Sequence, residues 1–208
     1  MKTDTCVEKE KGLIMAGKRE KTREMIIDFS YALFAMKGFK QVTMKDICEV
    51  TGMSRGGLYS HFSGTDKLFE AVLERTMGSS AMDFHTEIEK GASAIEILDR
   101  ALKLMEDEMK HPEDSLSVAI YEYAEMVDSD LIEKLNQNAE KKWKNLITYG
   151  MKRGEFCNIN VDEIVNVILY SYQGARLWSS IIPMKPKAFH SIANHIKRQL
   201  KGEDYDNT

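Results

Sequence analysis

No proline occurs before Pro112, and only Pro183 and Pro186 follow it. Proline interrupts helices because it lacks a backbone N–H and crowds the preceding turn. Over more than half of the chain, glycines and polar clusters are therefore the main punctuation. Leu, Met, Ala, Glu and Lys dominate, and all are good helix formers. No stretch alternates apolar and polar residues as a half-buried strand would, and no internal repeat or low-complexity tract is present. These features predict an all-α chain of about nine helices.

The 208 residues suit one ordinary domain or two small ones, and the 43% apolar fraction allows a sizeable core. The N-terminus, MKTDTCVEKEKGLIMAGKRE, has only Leu13–Ala16 as an apolar stretch, too short for a secretory leader. No run approaches the roughly 18–20 apolar residues of a membrane span. Cys6, Cys48 and Cys157 are odd in number and far apart, which suggests neither a zinc site nor a disulfide framework. The expectation is a cytoplasmic protein with reduced thiols, no membrane partner and no cofactor, in which Cys48 is a small core residue.

The net charge of −4 is unevenly spread. Residues 1–64 hold 11 Lys and Arg against 8 Asp and Glu, while residues 65–208 hold 18 against 25. A mildly basic head on an acidic body fits a small DNA-reading domain attached to a regulatory one.

Residues 1–17 have few core-forming side chains and are expected to form a loose arm. Helix 1 is predicted from about Arg19 to Lys37, with Ile26, Ser30, Leu33 and Phe34 as its buried stripe. Gly38 ends it. Thr43 and Asp46 resemble a capping box that opens helix 2, which buries Ile47 and Cys48 and stops at Gly52. Ser54 can cap helix 3, about Arg55–Phe62, which buries Leu58 and Phe62. Two short helices joined by a glycine-containing turn are the outline of a helix-turn-helix. Asp66 suits the first turn of a fourth helix running to about Lys90, loosened at Gly78-Ser79-Ser80. Later helices are predicted near 93–110, 114–126, 129–152, 161–182 and 186–200. Gly91, Pro112, Asp128-Ser129-Asp130, Gly154 and Pro183/Pro186 separate them.

Gly56 and Gly57 sit side by side in the short helix 3. Each costs about 1 kcal/mol relative to alanine inside a helix. Either the packing there is crowded, or the backbone must approach something closely, such as a groove wall of DNA. Ser54, Arg55, Tyr59, Ser60 and His61 surround the pair with hydrogen-bonding groups. Arginine can bond guanine edges bidentately, and hydroxyls suit phosphates.

Residues 43–62, TMKDICEVTGMSRGGLYSHF, closely resemble the helix-turn-helix of tetracycline-repressor-like (TetR/AcrR) regulators, as does the preceding MIIDFSYALFAMKGF, residues 25–39. The resemblance covers about residues 20–75. Gly38-Phe39, Thr43, Asp46-Ile47, Gly52, Gly57, Leu58-Tyr59, His61-Phe62 and Leu68 fall in register. It implies a homodimer whose recognition helices enter successive major grooves of a palindromic operator, with half-sites about one turn, roughly 34–36 Å, apart or somewhat more. It assigns Thr43 to a phosphate, Ser54, Arg55 and Gly56 to base edges, and Tyr59 and His61 to the backbone. Met44, Gly57 and Ser60 complete the expected DNA-facing set. Where the family usually has lysine at the start of helix 4, this chain has Thr65. Thr65 can offer its hydroxyl and backbone amide to a phosphate there, and Lys67 is expected to replace the missing charge, although two residues on is about 200° around a helix.

By the same resemblance, residues 18–64 form the DNA-binding domain and 65–208 an effector-binding and dimerisation domain, with 65–90 as connector. The dimer would form through helices 161–182 and 186–200, where Gly174 and Ala175 allow close approach. Occupancy by a small hydrophobic effector would shift the spacing of the DNA heads. Met105, Met109, Tyr121, Tyr123, Trp143, Tyr170, Gln173 and Arg176 are the candidate ligand residues. Most of the aromatics are equally compatible with ordinary core. Arg176, on an otherwise apolar helix, suits the dimer seam, a ligand or solvent.

An enzyme is the natural rival for a helical bundle. A di-iron site needs two Glu-x-x-His pairs, and only Glu108-x-x-His111 is present. No phosphate loop, nucleophile elbow or HExxH occurs. A second rival is a protein-interaction module of the same fold that does not bind an operator under ligand control.

Overall fold

The computed structural model describes residues 4–78, 82–127 and 130–203. It is all-helical. Helix α1 (Asp4–Lys37) is followed by α2 (Met44–Thr51), α3 (Arg55–Tyr59), α4 (Thr65–Gly78) and α5 (Phe84–Glu89). The remainder comprises α6 (Ala94–Lys110), a 3₁₀ turn at Pro112–Asp114, α7 (Ser117–Met126), α8 (Leu131–Lys152), α9 (Val161–Ser179) and α10 (Pro186–Lys201). Among the described residues there are thus ten α-helices rather than nine, because the segment expected as one helix over 66–90 is two. The expected loosening point includes Ser79 and Ser80, and the separator before α8 includes Asp128 and Ser129; these lie outside the described residues.

Helix α1 begins at Asp4 rather than Arg19, so the segment expected as a loose arm is helical from residue 4 onward. Its residues are mostly Glu, Lys, Leu, Met and Ala without proline, so local propensity favours extending the helix even where few apolar residues demand burial. The anticipated stripe is buried: Ile26 and Phe34 are 0% exposed, and Ser30 returns its hydroxyl to the Ile26 carbonyl at 2.6 Å.

Among the described residues there are two large apolar cores and a small third cluster of Met109, Ala175 and Phe189. The first joins α1 to α4 with α7. Phe34, Phe39 and Phe69 form an aromatic cluster in which Phe34 meets Phe69 edge-on, and Tyr123 of α7 completes it, 5.1 Å from Phe39 and 5.2 Å from Phe69 between ring centroids. The second core lies among α6, α8, α9 and α10, around Ile97, Leu98, Leu146, Ile147, Val165, Ile168, Ile196 and Leu200. Helix α4 belongs to the first core through Leu68, Phe69, Val72 and Leu73. Among the described residues, no helix is long and apolar enough to cross a membrane.

Candidate nucleic-acid interface and body cavity

The turn between α2 and α3 is built by local hydrogen bonding. Thr43 accepts from the Asp46 amide at 3.3 Å, and Asp46 accepts from the Thr43 amide at 2.9 Å, closing a reciprocal capping box. The Thr43 hydroxyl also donates to the same carboxylate. Lys37, on the last turn of α1, holds Asp46 at 2.7 Å. That ammonium, with the Thr43 bonds, keeps the Asp46 carboxyl well below the usual carboxylate range. Gly52 closes α2 with φ +67°, a left-handed conformation that a side chain would strain. Ser54 then caps α3 by accepting from the Gly57 amide at 3.2 Å. Ile47, Leu58 and Phe62 anchor both helices to the core.

What remains outside is the expected face. Ser54, Arg55, Gly56, Tyr59 and Ser60 are exposed, and Gly57 and His61 are half-buried. A methyl group on Gly56 would meet nothing within 4 Å, so packing does not require glycine there. At Gly57 the added carbon would lie 3.3 Å from the Ser54 hydroxyl, a tight contact with the cap of α3.

Two expectations change here. Met44, placed with the DNA-facing residues, is buried among the core residues at 8% exposure. As the first residue of α2 it turns inward while Thr43 and Lys45 stay exposed. Lys67 is exposed, but its ammonium is held by both oxygens of Glu70 at 2.8 Å. Thr65 itself opens α4 and is half-buried.

Helix α1 adds groups that sequence reasoning overlooked. Arg19 donates to the Ser60 carbonyl at 3.0 Å, at the C-terminal end of α3. The Arg23 guanidinium stands 5.0 Å from the Phe62 ring centroid. The signal was the run Lys18-Arg19-Glu20-Lys21-Thr22-Arg23, which the overall charge count diluted.

The ligand candidates separate into two groups. Met105, Trp143, Gln173 and Arg176 line one cavity of about 350 Å³. Tyr31, Thr76, Phe84, Glu108, Leu116, Ile120, Lys142, Leu169 and Tyr172 also line it, so the wall draws on α1 and α4 to α9. The other four candidates do not line it. Met109 is buried with Ala175 and Phe189, Tyr123 belongs to the first core, and Tyr121 and Tyr170 are 53% and 66% exposed. In each case the helix turns the side chain away from the cavity, and composition alone carries no such directional information. A second, open groove of about 680 Å³ between α5 and α8 is rimmed by Lys141, Lys142, Lys144 and Lys152.

The lone Glu-x-x-His pair does not converge. Glu108 faces the cavity, whereas His111 caps α6 and lies 3.2 Å from Glu113. Cys48 is half-buried against the first core, as expected, and the Cys157 thiol donates to the Gln199 carbonyl at 3.2 Å.

Helix α7 connects these regions. Leu116, the cap residue just before α7, and Ile120 line the cavity and also pack in the first core, which Ala119 and Tyr123 complete. Glu122 accepts from the Lys40 amide at 2.8 Å, and Glu125 pairs with the Lys40 ammonium at 2.8 Å. Gly38 lies under this contact with φ +76°, where an added carbon would fall 2.5 Å from Glu122 Oε2.

A capped helix-turn-helix with an exposed polar second helix, set on a helical body, defines the chain as a DNA-binding transcriptional regulator. Residues 26–72 match the model of the tetR family of bacterial regulatory proteins. The uncharacterized HTH-type transcriptional regulator YfiR of Bacillus subtilis is 30% identical over 148 residues, spanning 66% of this chain and 69% of that one. The HTH-type transcriptional repressor KstR2 of Mycolicibacterium smegmatis is 23% identical over 79% of this chain and 80% of its own length. A TetR-family regulator from Agrobacterium tumefaciens shares the fold with a TM-score of 0.74 at 10% identity, covering 88% of this chain and 99% of that one. The chain belongs to the TetR family, whose members are transcriptional regulators rather than enzymes.

Proposed function

We propose that the chain is a ligand-responsive repressor. It acts in the cytoplasm, binds a palindromic operator as a homodimer, and lets go when a small effector fills the cavity. In this reading residues 18–64 hold the DNA-reading elements and residues 65–90 connect them to an effector-binding and dimerisation body. Ser54, Arg55 and Gly56 face base edges, Tyr59, Ser60 and His61 steady the backbone, and Thr43 and Thr65 approach phosphates. Arg19 and Arg23 add positive charge beside the recognition helix.

The observation that carries the reading is the double membership of the α7 segment, whose Leu116 and Ile120 line the cavity while they pack, with Ala119 and Tyr123, in the reading head's core. A ligand that prefers one position of α7 therefore biases the position of the head. The dimer reading is supported by α9. Val167, Tyr170, Trp178 and Ile181 are exposed large apolar side chains at helical spacing along that helix and just past its end. Space is open at Gly174 between them. Such a patch on a soluble surface favours burial against a second copy. The repressor reading leans on KstR2, whose name says as much.

The test is selection of bound duplexes from a random pool, with the size of the free protein measured by sedimentation. Enrichment of a palindrome by a dimer is expected. An unenriched pool would favour an interaction module instead.

A further inference from the structure

The cavity lined by Arg176 is not uniformly hydrophobic. Met105, Trp143 and Leu169 give it an apolar wall, but Arg176 sits in that wall beside Tyr31, Glu108 and Tyr172. The Arg176 side chain is only 20% exposed, and its guanidinium is sparsely bonded. Nη1 donates to the Tyr172 hydroxyl at 3.0 Å, and the group stacks 5.0 Å from that ring's centroid. Glu108 comes no closer than 3.9 Å, beyond hydrogen-bond distance, and is half exposed. Nε is buried with no partner at all. The Tyr31 hydroxyl donates elsewhere, to the Asp114 carbonyl at 3.0 Å. Lys142 provides a second cation in the lining.

A largely covered guanidinium with unused donors is costly, because water is removed without replacement acceptors. An anion would supply them, and a carboxylate matches the planar fork of arginine with two parallel bonds. The volume of about 350 Å³ lies at the small end of ligand pockets, which favours a compact molecule. We propose that the effector is a small amphiphilic carboxylate, its head bound by Arg176 and its apolar part lying against Met105, Trp143 and Leu169. This rests on the reading of the cavity as the effector site and departs from a purely hydrophobic or cationic ligand.

Calorimetric titration of the full chain with decanoate, decanol and decyltrimethylammonium tests the charge preference. Each titration is paired with an operator-affinity measurement. Decanoate is expected to bind at least tenfold more tightly than the other two. Arg176→Gln should abolish that preference, and Arg176→Lys should keep part of it, which separates loss of the site from loss of the fold. Equal or tighter binding of the alcohol or the ammonium overturns the proposal, as does binding of none of the three. Release of operator by the neutral or cationic probe would overturn the carboxylate while sustaining ligand control. Decanoate binding through Arg176 without any change in operator affinity would sustain the site and overturn ligand control.

Discussion

The Tyr123 hydroxyl of α7 donates to Glu70 Oε1 of α4 at 3.0 Å, and the same carboxylate holds Lys67 with both oxygens at 2.8 Å. The helix that borders the cavity is thereby tied to the helix that follows the reading head. Tyr123 is 0% exposed and the Glu70 side chain 21%, so the bond is partly buried. Tyr123→Phe keeps the ring packing and removes this tie. A loss of about 1 kcal/mol is expected in urea denaturation, the usual net worth of such a bond. An unchanged midpoint would mean that the tie contributes nothing.

Gly56 separates the two explanations of the glycine pair. Since an added carbon there meets open space, Gly56→Ala should raise thermal stability, by up to about 1 kcal/mol in free energy. The same substitution should weaken operator binding, because the methyl would stand between the helix backbone and the groove. A more stable protein that binds DNA as well as before would remove close approach as the reason for glycine.

Arg55 is exposed at the start of α3. Arg55→Ala should relax sequence preference and cost about 1–3 kcal/mol at the cognate site, with little effect on unrelated duplexes. Equal losses on every duplex would assign Arg55 to phosphate instead.

Glu155 reaches from the loop after α8 to the start of α6. It accepts from Ser93 Oγ at 2.6 Å and from the Ile95 amide at 3.1 Å, and it pairs with Arg153. Burial pushes its carboxyl up, but these bonds prevail and hold it at about 2, below the ordinary 4.5. A carboxyl depressed on folding adds stability that is complete above its unfolded value and disappears as pH falls through the folded one. Glu155→Gln should therefore be less stable at pH 7, by about 1 kcal/mol for a lost helix cap. The gap should close as pH falls from about 4.5 to about 2. A pH-independent gap would contradict this account of the cap.

Sequence legibility followed the range of the interactions. Thr43 with Asp46, Gly52 and Ser54 act within three or four residues, so the caps and turn of the helix-turn-helix were readable directly. The break between α4 and α5 was partly readable, because glycine and serine loosen a helix without dictating whether it ends. Side-chain direction in the body was not readable. Tyr123 and Tyr121 are two residues apart on α7, yet one completes a core and the other is half exposed. Tyr31 joins the cavity from α1, far from the other lining residues in sequence. Met44 looked available beside Thr43, but the first turn of α2 rotates it inward.

The central claim is most directly tested by measuring binding to the selected duplex across a range of salt concentrations. Two recognition helices on one palindrome require two protomers per duplex and several phosphate contacts. The affinity should then fall linearly in log–log form, with a slope near −0.9 for each phosphate neutralised. Two protomers per duplex with a steep slope is the predicted result. A flat salt dependence, or no preference for the selected duplex over an unrelated one, would contradict the account.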